Sequence, residues 1–487
     1  MTNAERDEQG GSDGDIGTPR PTRSGRWDAH AFERSAHLTV RRLARHVERS
    51  EAGETPVLRR RPPGEIARLL DIRRYLREGG MTAESYKRFL DRYLDEGVRM
   101  HHPAYLAHQV ASPDFPAALG DLIHGVTNNV MSIYEMGAAA ATVEFEVLRW
   151  MLDKVGFTRG AGVLTHGGSL ANLTALLAAR SSVAPNAWTD AVGGTFVLWA
   201  SPATHYSLTR AMGIIGLGAD NVRPLPVDEW GRIDSTRLPE ILDHPQPAIA
   251  LVANACTTGS GLYDDLVTVG RFCRENGIWF HVDGAHGASA LLSDRYRHLL
   301  DGIELADSVV WDAHKMLRTS GVAAAVLVRD EAALDAAFRQ QASYLFYGDQ
   351  GFDQLRRTVE GTKAALGLKI FLNLAWRGER GLGDYVAQCY ETAHLFWHIA
   401  RRRAGFELPY EPQSNIVCFR YGTGDHARLR QVLMDEGSYH LSSTELAGRR
   451  YLRLTVMAPA TCRTTLESLL DRIVALDQRV TDSADER

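Results

Sequence analysis

Apolar residues recur about once per helical turn from Trp27 onward, at Phe32, Leu38, Leu43 and Val47. That spacing predicts an amphipathic helix. Arg-Pro-Pro-Gly at 61–64 interrupts it, and Thr-Ala-Glu-Ser at 82–85 carries a helix-start signature ahead of Tyr86, Phe89, Leu90 and Tyr93. Residues 27–116 therefore read as an all-helical arm. From 117 to 370 the pattern changes. Apolar runs at 162–165, 195–200, 249–253 and 323–328 alternate with helical stretches such as 169–180 and 207–217. Such alternation predicts an α/β fold, with a mainly parallel central sheet covered by helices on both faces. Residues 371–482 begin with a helix, pass through alternating strands at 414–420 and 451–456, and close with a helix at 466–476. They read as an α+β C-terminal small domain. Residues 1–26 are rich in Gly, Asp, Thr, Pro and Arg and nearly lack large apolar side chains, so they are expected to be a disordered tail. No internal repeat is visible.

Composition narrows the function classes. A chain of 487 residues is too long for one core, so two or three domains are expected. The net charge of −5 gives no electrostatic case for nucleic acid or a membrane surface as partner. The five cysteines are scattered, odd in number and free of any CxxC spacing. That argues against a disulfide framework or a zinc site and for a reducing compartment. The histidines show no ligand spacing, so no metal is expected. No apolar run reaches the length of a membrane span, and the first residues are polar and acidic, unlike a secretory signal. The expectation is a cytoplasmic protein.

Two apolar runs end in reactive groups. Gly-Ile-Trp-Phe-His-Val-Asp at 277–283 is apolar up to its carboxylate, and Ser-Val-Val-Trp-Asp at 308–312 leads directly into Ala-His-Lys at 313–315. Taken singly, a strand-end Asp is usually a turn or cap residue, and a Lys is usually solvated. The pairing alters that balance, because ligands of open α/β sheets gather at the carboxyl ends of strands. A carboxylate that keeps a pyridinium nitrogen protonated and a lysine that forms a Schiff base are what a pyridoxal 5'-phosphate (PLP) site needs. Asp283 and Lys315 fill these roles. Thr-His-Gly-Gly-Ser-Leu-Ala-Asn at 165–172 sits between a strand and a helix, where glycines and free N–H groups can cradle a phosphate. By itself Gly-Gly-Ser is also an ordinary turn, and it fits neither the Walker nor the Rossmann spacing.

In these motifs and their order, from about 102 to about 476, the chain resembles the group II PLP-dependent amino acid decarboxylases. That family includes the glutamate, cysteine sulfinate, 2,4-diaminobutyrate and aromatic amino acid decarboxylases. The resemblance implies the PLP-dependent transferase fold type I and a homodimer with shared active sites, the helical arm wrapping the partner subunit. It implies that Gly168 and Ser169 hold the phosphate and that His205, in Ser-Pro-Ala-Thr-His-Tyr-Ser at 201–207, stacks on the ring. It places Thr258 near the phenolic oxygen, Ala285 on the other ring face and His314 beside the phosphate and Schiff base. The chain departs from the family at two positions. Asp312-Ala-His-Lys stands where the family often has Asn-Pro-His-Lys. An Asp there repels phosphate unless it is turned away or compensated, so no phosphate role is carried onto Asp312. Gly284 stands where Ala is frequent, a mild change.

The resemblance also implies a reaction: decarboxylation of an L-amino acid to its amine and carbon dioxide. Gln-Ala-Ser-Tyr-Leu-Phe at 341–346 matches the family's mobile loop, which makes Tyr344 the expected proton donor to Cα. A packing aromatic is the plainer alternative for Tyr344. With Lys315, Asp283 and His205, Tyr344 completes the expected catalytic set. Arg453 matches the arginine near the substrate carboxylate, and Gln109 lies in the segment matching the substrate pocket. Ser-Ile-Tyr-Glu-Met-Gly at 132–137 resembles the glutamate and diaminobutyrate branch and leans toward a polar or aliphatic amino acid. His108 breaks the glutamate pattern. Oxygen-dependent aldehyde formation, transamination or a non-catalytic PLP-binding role remain as alternatives.

Overall fold

The computed structural model describes residues 27–190, 192–339 and 351–485. The N-terminal segment holds α1 (Ala29–Glu51), α2 (Pro63–Leu69), α3 (Ile72–Glu78), α4 (Ala83–Glu96), the strand β1 (Tyr105–Leu106) and α5 (Phe115–Thr127). Side chains cap the starts of α1, α4 and α5. Asp28 accepts from the Ala31 amide at 2.9 Å, and Thr82 and Ser85 close a reciprocal capping box on α4. The all-helical expectation fails at β1. Tyr105 and Leu106 pair in parallel with His440 and Leu441, more than three hundred positions away. Two residues carry no readable periodicity, and only the distant strand makes them extended.

The middle of the chain holds α6 (Ala138–Val155), β2 (Ala161–Thr165), α7 (Gly168–Val183), β3 (Val197–Ala200), α8 (Ser207–Ile214), β4 (Val222–Pro224) and β5 (Ala248–Asn254). It continues through α9 (Leu266–Glu275), β6 (Phe280–Asp283), β7 (Ser308–Asp312), β8 (Ala324–Val328) and α10 (Glu331–Ala337). Its seven-stranded sheet has the order β2-β8-β7-β6-β5-β3-β4. Neighbours from β4 through β7 are parallel, and β8 runs against both β7 and β2. All residues of β2, β7 and β8 are buried, which explains why these strands read as continuous apolar runs rather than as alternation. Because β2, β3, β5, β6 and β7 share one direction, Thr165, Ala200, Asn254, Asp283 and Asp312 all end on one edge. β8 begins there, with Ala324 opposite Asp312.

The last part comprises α11 (Leu366–Ala400), β9 (Phe406–Glu407), β10 (Ile416–Tyr421), α12 (His426–Glu436), β11 (His440–Leu446), β12 (Arg449–Thr455) and α13 (Arg463–Asp485). Within α11, two helical segments meet at Gly378, whose φ of +65° suits glycine. A second sheet has the order β1-β11-β12-β10-β9, so the N-terminal segment supplies its edge strand. No helix among the described residues is long and apolar enough to cross a membrane.

Candidate active site

A cavity of about 310 Å³ opens at the shared carboxyl edge of the large sheet. Its lining contains Gly168, Ser169, His205, Thr258, Asp283, Ala285, His314 and Lys315. Residues spread over nearly 150 positions of sequence thus meet because their strands end on one edge. Tyr344 lies outside the described residues. Gln109 and Arg453 are not part of this lining.

Asp283 closes β6 and is held from two sides. Its Oδ2 accepts from Asn172 Nδ2 at 3.1 Å, and its Oδ1 accepts from the Ala285 amide at 3.2 Å. The other Asn172 N–H donates to Ser207 Oγ at 2.9 Å, and Ser207 Oγ lies 2.8 Å from His205 Nδ1. The Ser207 amide donates to that same ring nitrogen at 3.3 Å, so Nδ1 is an acceptor and Nε2 carries the hydrogen of the neutral ring. On the far side, Asn172 Oδ1 meets His281 Nε2 at 3.0 Å. His281 Nδ1 in turn faces Ser308 Oγ at 2.8 Å, which accepts from Trp279 Nε1 at 2.9 Å. This chain of bonds is compatible with a neutral His281. Burial favours that form, holding His281 well below the usual histidine range despite the nearby Asp283 carboxylate. His205 is also lowered, first by burial and then by Lys315 and Arg210, while Asp283 and Asp312 oppose the shift.

The phosphate-sized end of the cavity is built on the turn into α7. Gly167 has a φ of +100°, which L side chains rarely adopt. At Gly168, a Cβ would come within 2.8 Å of Asp312 Oδ2, so glycine is what lets the backbone approach. The first N–H groups of this 16-residue helix are free to meet an anion. Asp312 is not turned away, which was one of the two ways the sequence left for tolerating it. Its carboxylate lines the cavity, with Oδ2 at 3.3 Å from Lys315 Nζ and 3.7 Å from His314 Nε2. His166 also reaches the lining and pairs with Glu360.

Arg453 and Gln109 are both buried, and Arg453 is bonded to the segment that carries Gln109. Arg453 projects from β12, and its Nη1 donates to the Ala107 carbonyl and to Ser442 Oγ, both at 3.0 Å. Ala107 and Gln109 follow β1 directly, so the edge strand brings this segment to the arginine. Arg453 is only 5% exposed, which excludes a solvated strand residue. Its Nε and Nη2, and Gln109 Nε2, have no partner among the described residues. Burial lowers the arginine's affinity for its proton.

Several cavity residues had no assigned role in the sequence. Asn172 lies within the glycine-rich motif, but nothing local links it to Asp283. Asn254 ends β5, and its Nδ2 donates to the buried Asp264 carboxylate at 3.1 Å. His286 meets Asn415 Oδ1 at 2.7 Å through Nε2, and its Nδ1 has no partner among the described residues. Burial pushes His286 down to about 3. Cys256 is pushed up to about 11 by burial, so it is an inert thiol. Asn254 had only its position at a strand end as a signal, which is too common to single it out, and the others had no local signal.

The motif order and the edge geometry agree with the comparisons. Residues 84–422 match the model of the pyridoxal-dependent decarboxylase conserved domain. The chain belongs to the pyridoxal-dependent decarboxylases. Cysteine sulfinic acid decarboxylase of Mus musculus is 33% identical over 371 residues, which is 73% of this chain and 74% of that one. Acidic amino acid decarboxylase GADL1 of Bos taurus is 29% identical over 447 residues, 85% and 84% of the two chains. A crystal structure of mouse CSAD superposes with a TM-score of 0.85 at 27% identity, covering 92% of this chain and 99% of that chain. The decarboxylase is thus a PLP-dependent carboxy-lyase of fold type I that acts on an amino acid.

The cleft fits the cofactor. The Asp283 carboxylate and the glycine turn at the N-terminus of α7 line the same cavity. An amine lies beside that turn, and Ala285, next after Gly284, keeps one wall small.

Proposed function

We propose that this decarboxylase converts an L-amino acid to the corresponding amine and carbon dioxide, with Lys315, Asp283, His205 and Tyr344 as its catalytic residues. The convergence of Asp283, Lys315 and the turn into α7 on one cavity supports this reading most directly. Bound PLP supplies an electron sink for the charge left on the substrate Cα when its carboxylate departs. Lys315 would hold the cofactor through its Nζ. Asp283 keeps the pyridinium nitrogen protonated, and Asn172 and the Ala285 amide fix the carboxylate in position. His205 covers one ring face while Ala285 leaves room on the other. Thr258 serves the phenolic oxygen, and Gly168, Ser169 and His314 serve the phosphate end.

Arg453 and Gln109 hold the substrate. Two unpartnered guanidinium nitrogens and an unpartnered amide are what a carboxylate or another acidic group would satisfy. The relatives named for cysteine sulfinic acid and for acidic amino acids agree with a polar substrate. Tyr344 delivers its phenolic proton to Cα after carbon dioxide leaves. We also propose a homodimer that completes each site across its two-fold axis. Apolar side chains left exposed on α1 (Phe32, Val40, Leu43) and α5 (Leu119, Leu122, Ile123, Val126) support a second copy as their cover. A cytoplasmic location is supported by the five free cysteines, four of them buried.

Incubating the enzyme with the twenty standard amino acids, diaminobutyrate and ornithine, and measuring carbon dioxide with amine, keto acid and aldehyde, tests the reaction. Keto acid or aldehyde as the main product would replace decarboxylation to an amine by transamination or oxidation. Tyr344→Phe should lower amine formation by about 10²–10⁴-fold while substrate still binds. Amine at the wild-type rate would remove Tyr344 from the mechanism.

A further inference from the structure

One buried group has no use in this mechanism. Asp312 is 2% exposed, lines the cavity, and has an Oδ1 with no partner among the described residues. Its carboxylate lies against the Cα of Gly168, where a Cβ would sit 2.8 and 2.9 Å from its two oxygens. The same glycine opens α7, the N-terminus that a phosphate would occupy. A second negative charge is therefore built into the anion cradle of this chain.

The surroundings show how that charge is balanced without a ligand. Lys315 Nζ at 3.3 Å and His314 Nε2 at 3.7 Å face Oδ2 from the turn after β7. His205 and Asp283 face the carboxylate across the cavity from the ends of β3 and β6, and the His166–Glu360 pair faces it from the turn before α7. Lys315 is the nearest cation, yet its nitrogen is the one committed to the cofactor's aldehyde carbon. His314 Nδ1 is occupied at the Ala323 carbonyl, 2.9 Å away. A doubly charged phosphate would thus meet an anion whose nearest balance has been drawn into a bond.

We propose that Asp312 shares a proton with the cofactor's phosphate, so that the phosphate is held as a monoanion and one proton is taken up from solvent for each cofactor bound. This rests on the reading that the turn into α7 holds the PLP phosphate. Asp312 Oδ1 then gains the partner that it lacks, in a short charge-assisted bond to a phosphate oxygen. The free phosphate ester loses its second proton near pH 6, so uptake is required above that pH and not below it. Cofactor affinity should therefore weaken as pH rises, and Asp312 is the residue that sets this dependence.

The test measures PLP dissociation constants by absorbance from pH 5.5 to 8.5 for wild type and for Asp312→Asn, whose amide donates without a charge. The ratio of the wild-type to the variant constant should grow by about tenfold per pH unit above pH 6.5 and stay level below pH 6. Pyridoxal lacks the phosphate but still reacts with Lys315, so its ratio should stay flat. The phosphorus resonance of the bound cofactor should lie at the monoanion position throughout in wild type and at the dianion position in the variant at pH 8. A flat ratio with PLP, an equal trend with pyridoxal, or a dianion resonance in wild type would overturn the proposal. If Asp312→Asn does not fold, the wild-type resonance alone decides. Borohydride reduction separates this from the underlying reading: no pyridoxyl group on Lys315 of wild type would mean that the cleft is not the PLP site.

Discussion

Asp283 and Arg453 are both buried charges, and the protein treats them in opposite ways. Asp283 sits in a finished network. Both oxygens accept hydrogen bonds, and the donors are themselves bonded through Ser207, His281 and Ser308. Arg453 uses one nitrogen on Ala107 and Ser442 and leaves two nitrogens without partners among the described residues. A buried donor left unsatisfied costs more than an ordinary hydrogen bond contributes. The first arrangement is a fixed floor that needs no further ligand to be stable. In the proposed function the second is a receptor whose missing bonds the substrate would supply. On that reading the cofactor station is preorganised by the fold, while the substrate station keeps part of its bonding in reserve.

The sharpest way to break this contrast is at the floor's reactive end. Lys315→Ala should lower turnover by on the order of 10⁴-fold or more while leaving the Asp283 network in place, and it should also lower the melting temperature because it takes the nearest cation from buried Asp312. After borohydride treatment of wild type, peptide mapping should find the pyridoxyl group on Lys315. A label on another lysine would move the reactive end elsewhere.

Arg453→Met probes the receptor. Removing a charge-assisted contact of about 1.5–3 kcal/mol should raise KM by roughly 10–100-fold. The same change should leave the melting temperature level or higher, because a buried, half-paired charge is replaced by an apolar side chain of similar length. A large drop in stability with KM unchanged would make Arg453 structural and dissolve the comparison.

Asn172→Ala tests the floor by the opposite outcome. It strands His281 Nε2 and removes one bond from Asp283, which should cost about 1–3 kcal/mol of stability and speed PLP release. Thermal melts and cofactor off-rates measure both. Wild-type melting would show that the network is ornamental.

A further effect is the pH dependence of stability. His281 and His286 are both held below the ordinary range by burial, His286 down to about 3. Each binds its proton more readily in the unfolded chain, so stability is full above about pH 6.5 and falls as pH drops toward 4. The slope should be up to about 1.4 kcal/mol per pH unit for each histidine. His286→Gln should flatten the decline seen by denaturant unfolding between pH 7 and 5. An unchanged slope would mean that other groups carry it.

Much of the floor could be read from residues in a row. Apolar runs ending in Asp283 and in Asp312 ahead of Lys315, and a glycine pair ahead of a helix, are local patterns, because strand ends and helix starts have local causes. The alternation that predicted the α/β sheet is legible for the same reason. The receptor was legible only through the family's motifs, since Arg453 in an alternating strand resembles any exposed arginine. Asp312 shows the limit most clearly. The residues could say that a carboxylate near a phosphate is costly, but not which way it points.

The chain by itself therefore determined the alternation of the main strands and helices of the large sheet, the cofactor chemistry and the residues at the ends of β6 and β7. These follow from periodicity, turn chemistry and spacing, all short-range properties of the covalent chain. The tertiary structure alone decided the pairings between distant residues. Asn172 meets Asp283 across 111 positions, and Arg453 meets Ala107 across 346. It also decided that β1 belongs to the C-terminal sheet and that Asp312 faces the cradle. The physical reason is that a buried polar atom must find whichever partner the packed fold brings near it, and no local pattern encodes that partner's identity.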